Sequence, residues 1–208
     1  MIDLVPNLIF VWHCIRASEH LLECAIARSS GELADYFRGH LEEERNHADW
    51  LAEDLRSVGV EVSRTKIPRE AMEMVGSLYY LIFHVDACAL LGYMRVLESC
   101  PIKDKLERLE AEYGPELLRT TRYHAEHDPH HLQGITFQTE RLTSQQRSLV
   151  DQTSGITIEY LQRATESMRA AASKGDLDGR EQHRAADASA TAAGPAAGNA
   201  SEHRFAAV

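Results

Sequence analysis

The chain has 208 residues, 44% hydrophobic and 26% charged, which is enough apolar material for one sizeable helical domain or two small ones. A net charge of −10 and a pI near 5.5 argue against nucleic acid and anionic membrane surfaces as partners. The four cysteines, Cys14, Cys24, Cys88 and Cys100, show no C-x-x-C spacing and sit in apolar helical patterns. They read as buried reduced thiols of a cytoplasmic protein, neither a disulfide frame nor a zinc knuckle.

In chain order, helical periodicity dominates and no stretch alternates at period two. The N-terminus lacks the basic region and cleavage site of a signal peptide. Residues 8–28 form an apolar first helix. A second is expected from the Ser30 cap to Gly59 as one continuous element, with Glu32 and Asp35 favouring its N-terminal dipole. Residues 63–70 are a loop in which Pro68 suits a helix start. From there one long apolar helix is expected to about Ser99. It is broken as a membrane span by His84 and Asp86, and so reads as a buried core helix. A short amphipathic piece covers 102–112, and "YGPE" turns the chain into a helix carrying "RYHAEHDPHHLQ". The last helix is capped by Thr143 or Ser144. From residue 173 the composition shifts to Ala, Gly, Ser and charge, the signature of a disordered tail. The expectation is an all-α domain of six or seven helices over 1–172, with no internal repeat.

Polar residues on inward faces of such a bundle carry the functional information. His124, Asp128 and His131 lie at i, i+4 and i+7, within a stripe of about 60° on an ideal helix. His127 falls at the edge of the stripe and His130 points away. Pro129 removes a backbone N–H and disfavours helical geometry at Asp128, so a kink or bulge is expected there. Alone, this stretch is either a metal site or an exposed histidine-rich turn. A second cluster, His40, Glu43, Glu44 and His47, shares one face of the second helix, and its Glu44/His47 pair has the E-x-x-H spacing of helical-bundle carboxylate metal sites. Glu98 closes a strongly apolar helix, where an unpaired carboxylate is costly. Mixed oxygen and nitrogen donors without thiolate suit iron or manganese better than structural zinc. Tyr79, Tyr80, Phe83, Tyr93 and Met94 are candidates to line an apolar pocket or to fill plain core.

"HLEEERNHADWLAEDL", "HVDACALLGYMRVLE" and "HAEHDPHH" resemble the heme-oxygenase-like diiron oxidases, over about residues 30–170. The resemblance implies a heme-oxygenase-like bundle of about seven helices, without heme. It also implies two Fe(II) ions (manganese is the alternative) with O2 as co-substrate, oxidising a small amine, amino acid or fatty acid in specialised-metabolite biosynthesis. The ligands carried over are Glu44, His47, Glu98, His124, Asp128 and His131, with His40 and Glu43 less secure. Some members of the family place their first carboxylate where this chain has His40. Glu19 and Glu23 are therefore further candidates. His84 stands where relatives often carry a ligand-like pattern, and is assigned to the pocket or to a core contact. The implied partners are a small-molecule substrate, no nucleic acid and no membrane, with a homodimer left open. The competing readings are a non-enzymatic iron store and a metal-free thiaminase-like enzyme using Cys88 or Cys100.

Overall fold

Leu4–Arg28 forms one helix, α1, which buries Leu8, Phe10, Trp12, Cys14, Leu21 and Leu22. In this computed structural model α1 packs against α2 (Gly31–Glu44), α3 (His47–Ser57) and α4 (Arg69–His84). The chain continues through α5 (Ala89–Glu98), α6 (Lys103–Tyr113), α7 (Arg119–Arg141) and α8 (Ser144–Ala192). Short 3-10 turns lie at Val62–Arg64 and Glu116–Leu118. The structure describes residues 4–99 and 103–192, with side chains to 173 except at Lys103, and among these there is no strand.

Two expected helices are each divided. The element expected from Ser30 to Gly59 breaks at Arg45 and Asn46, where Asn46 takes a left-handed φ of 65°. Asparagine tolerates that conformation better than most residues because its short amide can bond locally. The break is held from outside: the Asn46 N–H donates to Glu19 Oε1 at 3.1 Å. Glu19 is thus bound to the joint, and Glu23 pairs with His20 on the surface, so neither supplies an extra ligand. The helix expected from Pro68 to Ser99 breaks between His84 and Ala89. There Asp86 accepts the Cys88 N–H at 2.9 Å and the Gln146 side-chain amide at 3.0 Å. A carboxylate bonding the N–H two residues on starts a new helix and ends the old one.

Other junctions follow their chemistry. Gly114, at φ 88°, turns α6 towards the 3-10 turn before α7. Thr143 and Gln146 form a reciprocal cap at the start of α8. The Gln146 N–H donates to Thr143 Oγ1 at 3.3 Å, and the Thr143 N–H donates to Gln146 Oε1 at 3.1 Å. Helix α7 continues through Pro129 without interruption.

The chain divides into two units, Met1–Met168 and Arg169–Val208. The first unit contains two apolar clusters. The larger joins α1, α2, α4, α5, α7 and α8 through residues such as Phe37, Met74, Leu91 and Val150. The smaller joins the start of α1 to α3 and the turn before α7 through Leu8, Trp12, Leu51, Leu55 and Leu118. In the second unit the backbone is helical to Ala192. The expected disordered tail lies mostly beyond the residues described with side chains, and 193–208 lie outside the described residues altogether. Cys14 and Cys88 are buried and free, and Cys24 is half-buried and free. Cys100 is outside the described residues. None of the described helices is long and apolar enough to cross a membrane.

Candidate metal centre

Four helices supply the candidate donors. The end of α2 and the start of α3 supply His40, Glu44 and His47, the end of α5 supplies Glu98, and the middle of α7 supplies His124, Asp128 and His131. Helix α5 is seated against α8 with no side chain between them at Gly92: a Cβ there would lie 2.3 Å from the Val150 carbonyl oxygen. The Ser154 hydroxyl donates to the Gly92 carbonyl at 2.9 Å. That close approach fixes the axial position of Glu98. Helix α7 is anchored at its first turn, where the buried carboxylate of Asp54 accepts the Thr120 N–H at 2.7 Å and lies 3.0 Å from the Arg119 guanidinium. Asp54 had no signal in the sequence beyond its charge. It satisfies one of the orphan N–H groups of a helix start.

The donors fall into two groups. One is His40, Glu44, Glu98 and His131; the other is Glu44, His47 and His124; within each, ligand atoms lie within 4.8 Å of one another. Glu44 belongs to both. His40 Nε2 lies 3.8 Å from Glu44 Oε1 and 3.6 Å from Glu98 Oε1, and all three side chains are buried. His40, the less secure of the candidates, is therefore part of the cluster. Glu44 and His47 meet with Oε2 and Nδ1 3.4 Å apart, but across the Asn46 joint and not along one helix face. Glu43 is half-exposed and lies outside both groups, with its carboxylate 2.9 Å from His131 Nε2.

The histidines differ in state. His124 Nδ1 is 3.0 Å from the Thr120 carbonyl oxygen. A carbonyl only accepts, so Nδ1 carries the proton and Nε2 is left with its lone pair. The His124 pKa is lowered by burial, against the pull of Glu44. Burial likewise lowers that of His40, against Glu44 and Glu98. His131 is held at both nitrogens, by Glu98 at Nδ1 (3.2 Å) and Glu43 at Nε2. The hydrogen bond to Glu98 raises its pKa to about 9, so it is an imidazolium at neutral pH. His47 is 1% exposed, and neither ring nitrogen completes a hydrogen bond. An unsatisfied buried polar group costs about 1–3 kcal/mol.

The carboxylates are as unusual. Burial, then the charge of Glu98 and a hydrogen bond to it, raise the Asp128 pKa to about 8, and Asp128 Oδ1 has no partner. Asp128 keeps a proton because a second negative charge beside the Glu98 carboxylate is disfavoured. At Glu44 burial opposes ionisation, but His47 Nδ1 at 3.4 Å and the neighbouring imidazoles outweigh it and depress the pKa. Orphaned imidazole nitrogens, an orphaned carboxylate oxygen and a carboxyl that keeps its proton are compatible with a set of groups able to hold a cation.

The residues outside the array are equally clear. His127 is exposed and stacks on Tyr123, and His130 is exposed, both as the helical geometry implied. His84 is exposed against Tyr80, which corrects its assignment to a pocket or core contact. Of the five candidate pocket residues only Tyr93 and Met94 line the cavity beside the donors. Tyr80 and Phe83 are on the surface because the break before α5 turns α4 away from the site, and Tyr79 packs against the larger apolar cluster.

The backbone superposes with a TM-score of 0.74 on the crystal structure of a domain of unknown function from Shewanella denitrificans OS217, which has a heme oxygenase-like fold. The match covers 81% of this chain and 78% of that one, at 14% sequence identity. The fold is heme oxygenase-like. That likeness extends to the fold alone. No protein-family description matches the sequence, and no curated protein matches it either.

Proposed function

We propose that this chain is a non-heme enzyme holding two iron ions, which uses O2 to oxidise a small organic substrate. The observation that carries the reading is the membership of Glu44 in both donor groups: a carboxylate has two oxygens and can serve two cations at once. His40, Glu98 and His131 would complete one position, and His47 and His124 the other. Asp128, a predicted ligand, falls in neither donor group, and its Oδ1 is buried without a partner. Oxygen and nitrogen donors without a thiolate fit iron or manganese. Such a pair, when bound, supplies electrons for the reduction of O2.

The chain's own residues have separable tasks. Thr120 fixes the His124 ring with Nε2 free, and the Asp54 anchor holds Thr120 in place. Glu43 and Glu98 hold the proton of His131 until a cation displaces it. The apolar walls of the adjoining cavity, including Leu22, Leu90 and Leu97, keep bulk water from the donors. That cavity favours an enzyme over an iron store, which needs no substrate chamber. The thiaminase-like alternative finds no activated thiol among the described residues. Burial raises the Cys88 pKa well above the usual thiol range, and Cys14, which does line the cavity, is pushed up to about 12.

Anaerobic ferrous titration of the full chain, followed by iron analysis and Mössbauer spectroscopy, tests the reading. Two irons per chain and O2 consumption after loading are expected. Glu44→Gln should lose both irons, His40→Ala one, and Glu43→Gln neither, though with slower O2 uptake. Wild-type iron content in Glu44→Gln would refute the shared-carboxylate arrangement. Uptake of many irons per chain would indicate storage.

A further inference from the structure

A cluster of rings connects the His47 and His124 donors with the surface. The His47 ring centroid lies 4.6 Å from that of Trp50, 5.0 Å from Tyr123 and 4.9 Å from His124. Trp50 and Tyr123 meet edge to face at 5.3 Å, and the exposed His127 stacks on Tyr123 at 4.0 Å. His47 is buried whereas Trp50 is 36% exposed, so an indole that touches a candidate ligand also touches water. The other readily oxidised rings near the donors differ. Tyr36, beside His40, and Tyr93, in the cavity wall, have buried hydroxyls that complete no hydrogen bond. Neither phenol has a partner to take the proton that must leave with an electron. Trp12, the other tryptophan, is buried with the Arg16 guanidinium 5.1 Å from its ring, and that cation opposes loss of an electron.

We propose that Trp50 is a one-electron donor to the metal pair, drawing off an oxidising equivalent when O2 has reacted and no substrate is bound. This role rests on the proposed oxidase. An oxidising equivalent left in a closed site attacks its own walls, and Cys14, Tyr93 and Met94 line that wall. Trp50 instead loses an electron through its contact with the His47 ring. Its indole N–H proton passes to water, and the oxidising equivalent at the pair falls by one. The indolyl radical left at the surface is restored by a thiol, which gives its hydrogen atom to the indole nitrogen. Two of the resulting thiyl radicals join as a disulfide. Each electron delivered thus converts one thiol to half a disulfide and releases one proton. Tyr123 packs on both Trp50 and His47 and fixes their approach.

The ferrous-loaded full chain, mixed with O2 without substrate and freeze-quenched, provides the test. Electron paramagnetic resonance should show an organic radical whose signal narrows when the tryptophans carry ring deuterium. Trp50→Phe keeps a ring against His47 but resists electron loss. It should bind iron as wild type does, with a radical yield at least tenfold lower, whereas Trp12→Phe should keep the radical. Peptide mass spectrometry after repeated O2 exposure should find oxygenated Trp50 at least tenfold above oxygenated Trp12, and mercaptoethanol should suppress both radical and oxygenation. Glu44→Gln treated alike should show neither, although its Trp50 meets the same dissolved iron. The mass spectrum of wild type needs no Trp50 variant, and it decides if Trp50→Phe fails to fold. O2 uptake without an organic radical, a radical undiminished in folded Trp50→Phe, or Trp50 oxygenated as fully in Glu44→Gln would each overturn the assignment of Trp50 alone. A loaded wild type that takes up no O2 would overturn it together with the oxidase reading, so the two failures are distinguishable.

Discussion

Replacing Asp128 by Asn should favour the metal-free protein more at alkaline pH than at acid pH. The Asp128 carboxyl titrates at about 8 in the folded chain, because burial and the charge of Glu98 disfavour its anion, against about 3.9 when unfolded. The folded state therefore binds the extra proton between those values, and unfolding stability falls as pH rises through that window. Between pH 5 and pH 8 the two pKa values give a loss of roughly 3–4 kcal/mol from this one group, or roughly 2–4 kcal/mol once solvent screening is allowed for. Asparagine has the shape of the protonated acid and does not titrate, so the variant escapes the loss. The imidazoles titrate in both proteins, and the difference between them isolates Asp128. Urea unfolding of chelator-treated wild type and Asp128→Asn at both pH values provides the measurement. The variant's advantage over wild type should be larger at pH 8 than at pH 5 by roughly 2–4 kcal/mol. A difference that does not change with pH would refute the protonated state of Asp128 in the folded chain.

Ferrous loading at pH 7 should release about two protons, one from Asp128 and one from His131, since groups titrating at about 8 and about 9 are largely protonated there; calorimetry in buffers of different ionisation enthalpy reads the number, and no release would contradict the protonation states described. Gly92→Ala should lower stability by about 1–3 kcal/mol or more, seen as a fall in Tm, because its Cβ meets the Val150 carbonyl oxygen at 2.3 Å and Thr153 Cβ at 2.9 Å. Asn46→Gly should fold with wild-type stability, whereas Asn46→Val should lose about 1–2 kcal/mol at the left-handed joint, and lose iron with it.

The all-helical fold was legible because each element presents an apolar face at helical spacing, and His124, Asp128 and His131 were legible because one unbroken helix carries them. Glu98 stood out as a carboxylate ending an apolar run. What the sequence hid lies in the joints. Asn46 and Asp86 look like ordinary polar residues within a helical pattern, and only their hydrogen bonds, the Asn46 backbone N–H to the Glu19 carboxylate and the Cys88 N–H to the Asp86 carboxylate, reveal a break. Reading 30–59 as one helix paired Glu44 with His47 for the wrong reason, although the two do meet. Reading 68–99 as one helix carried Tyr80 and Phe83 towards the site, when they face outward. His40 was underweighted because nothing in helix spacing shows that Glu98, from a distant element, comes within 3.6 Å of it. Asp54 was invisible for the same reason.

The Asn46 joint bears on how such chains can be found by pattern. On α7 the intervals between His124, Asp128 and His131 are set by the helix pitch, and a one-residue insertion would rotate a donor out of the array by about 100°. Between Glu44 and His47 the interval is set by a two-residue joint, whose length loops tolerate changing. A pattern written to recover distant chains with this donor array should therefore hold the α7 intervals fixed and let the interval across the joint float. A chain with one extra residue there belongs in the same search, and one with an extra residue between His124 and His131 does not.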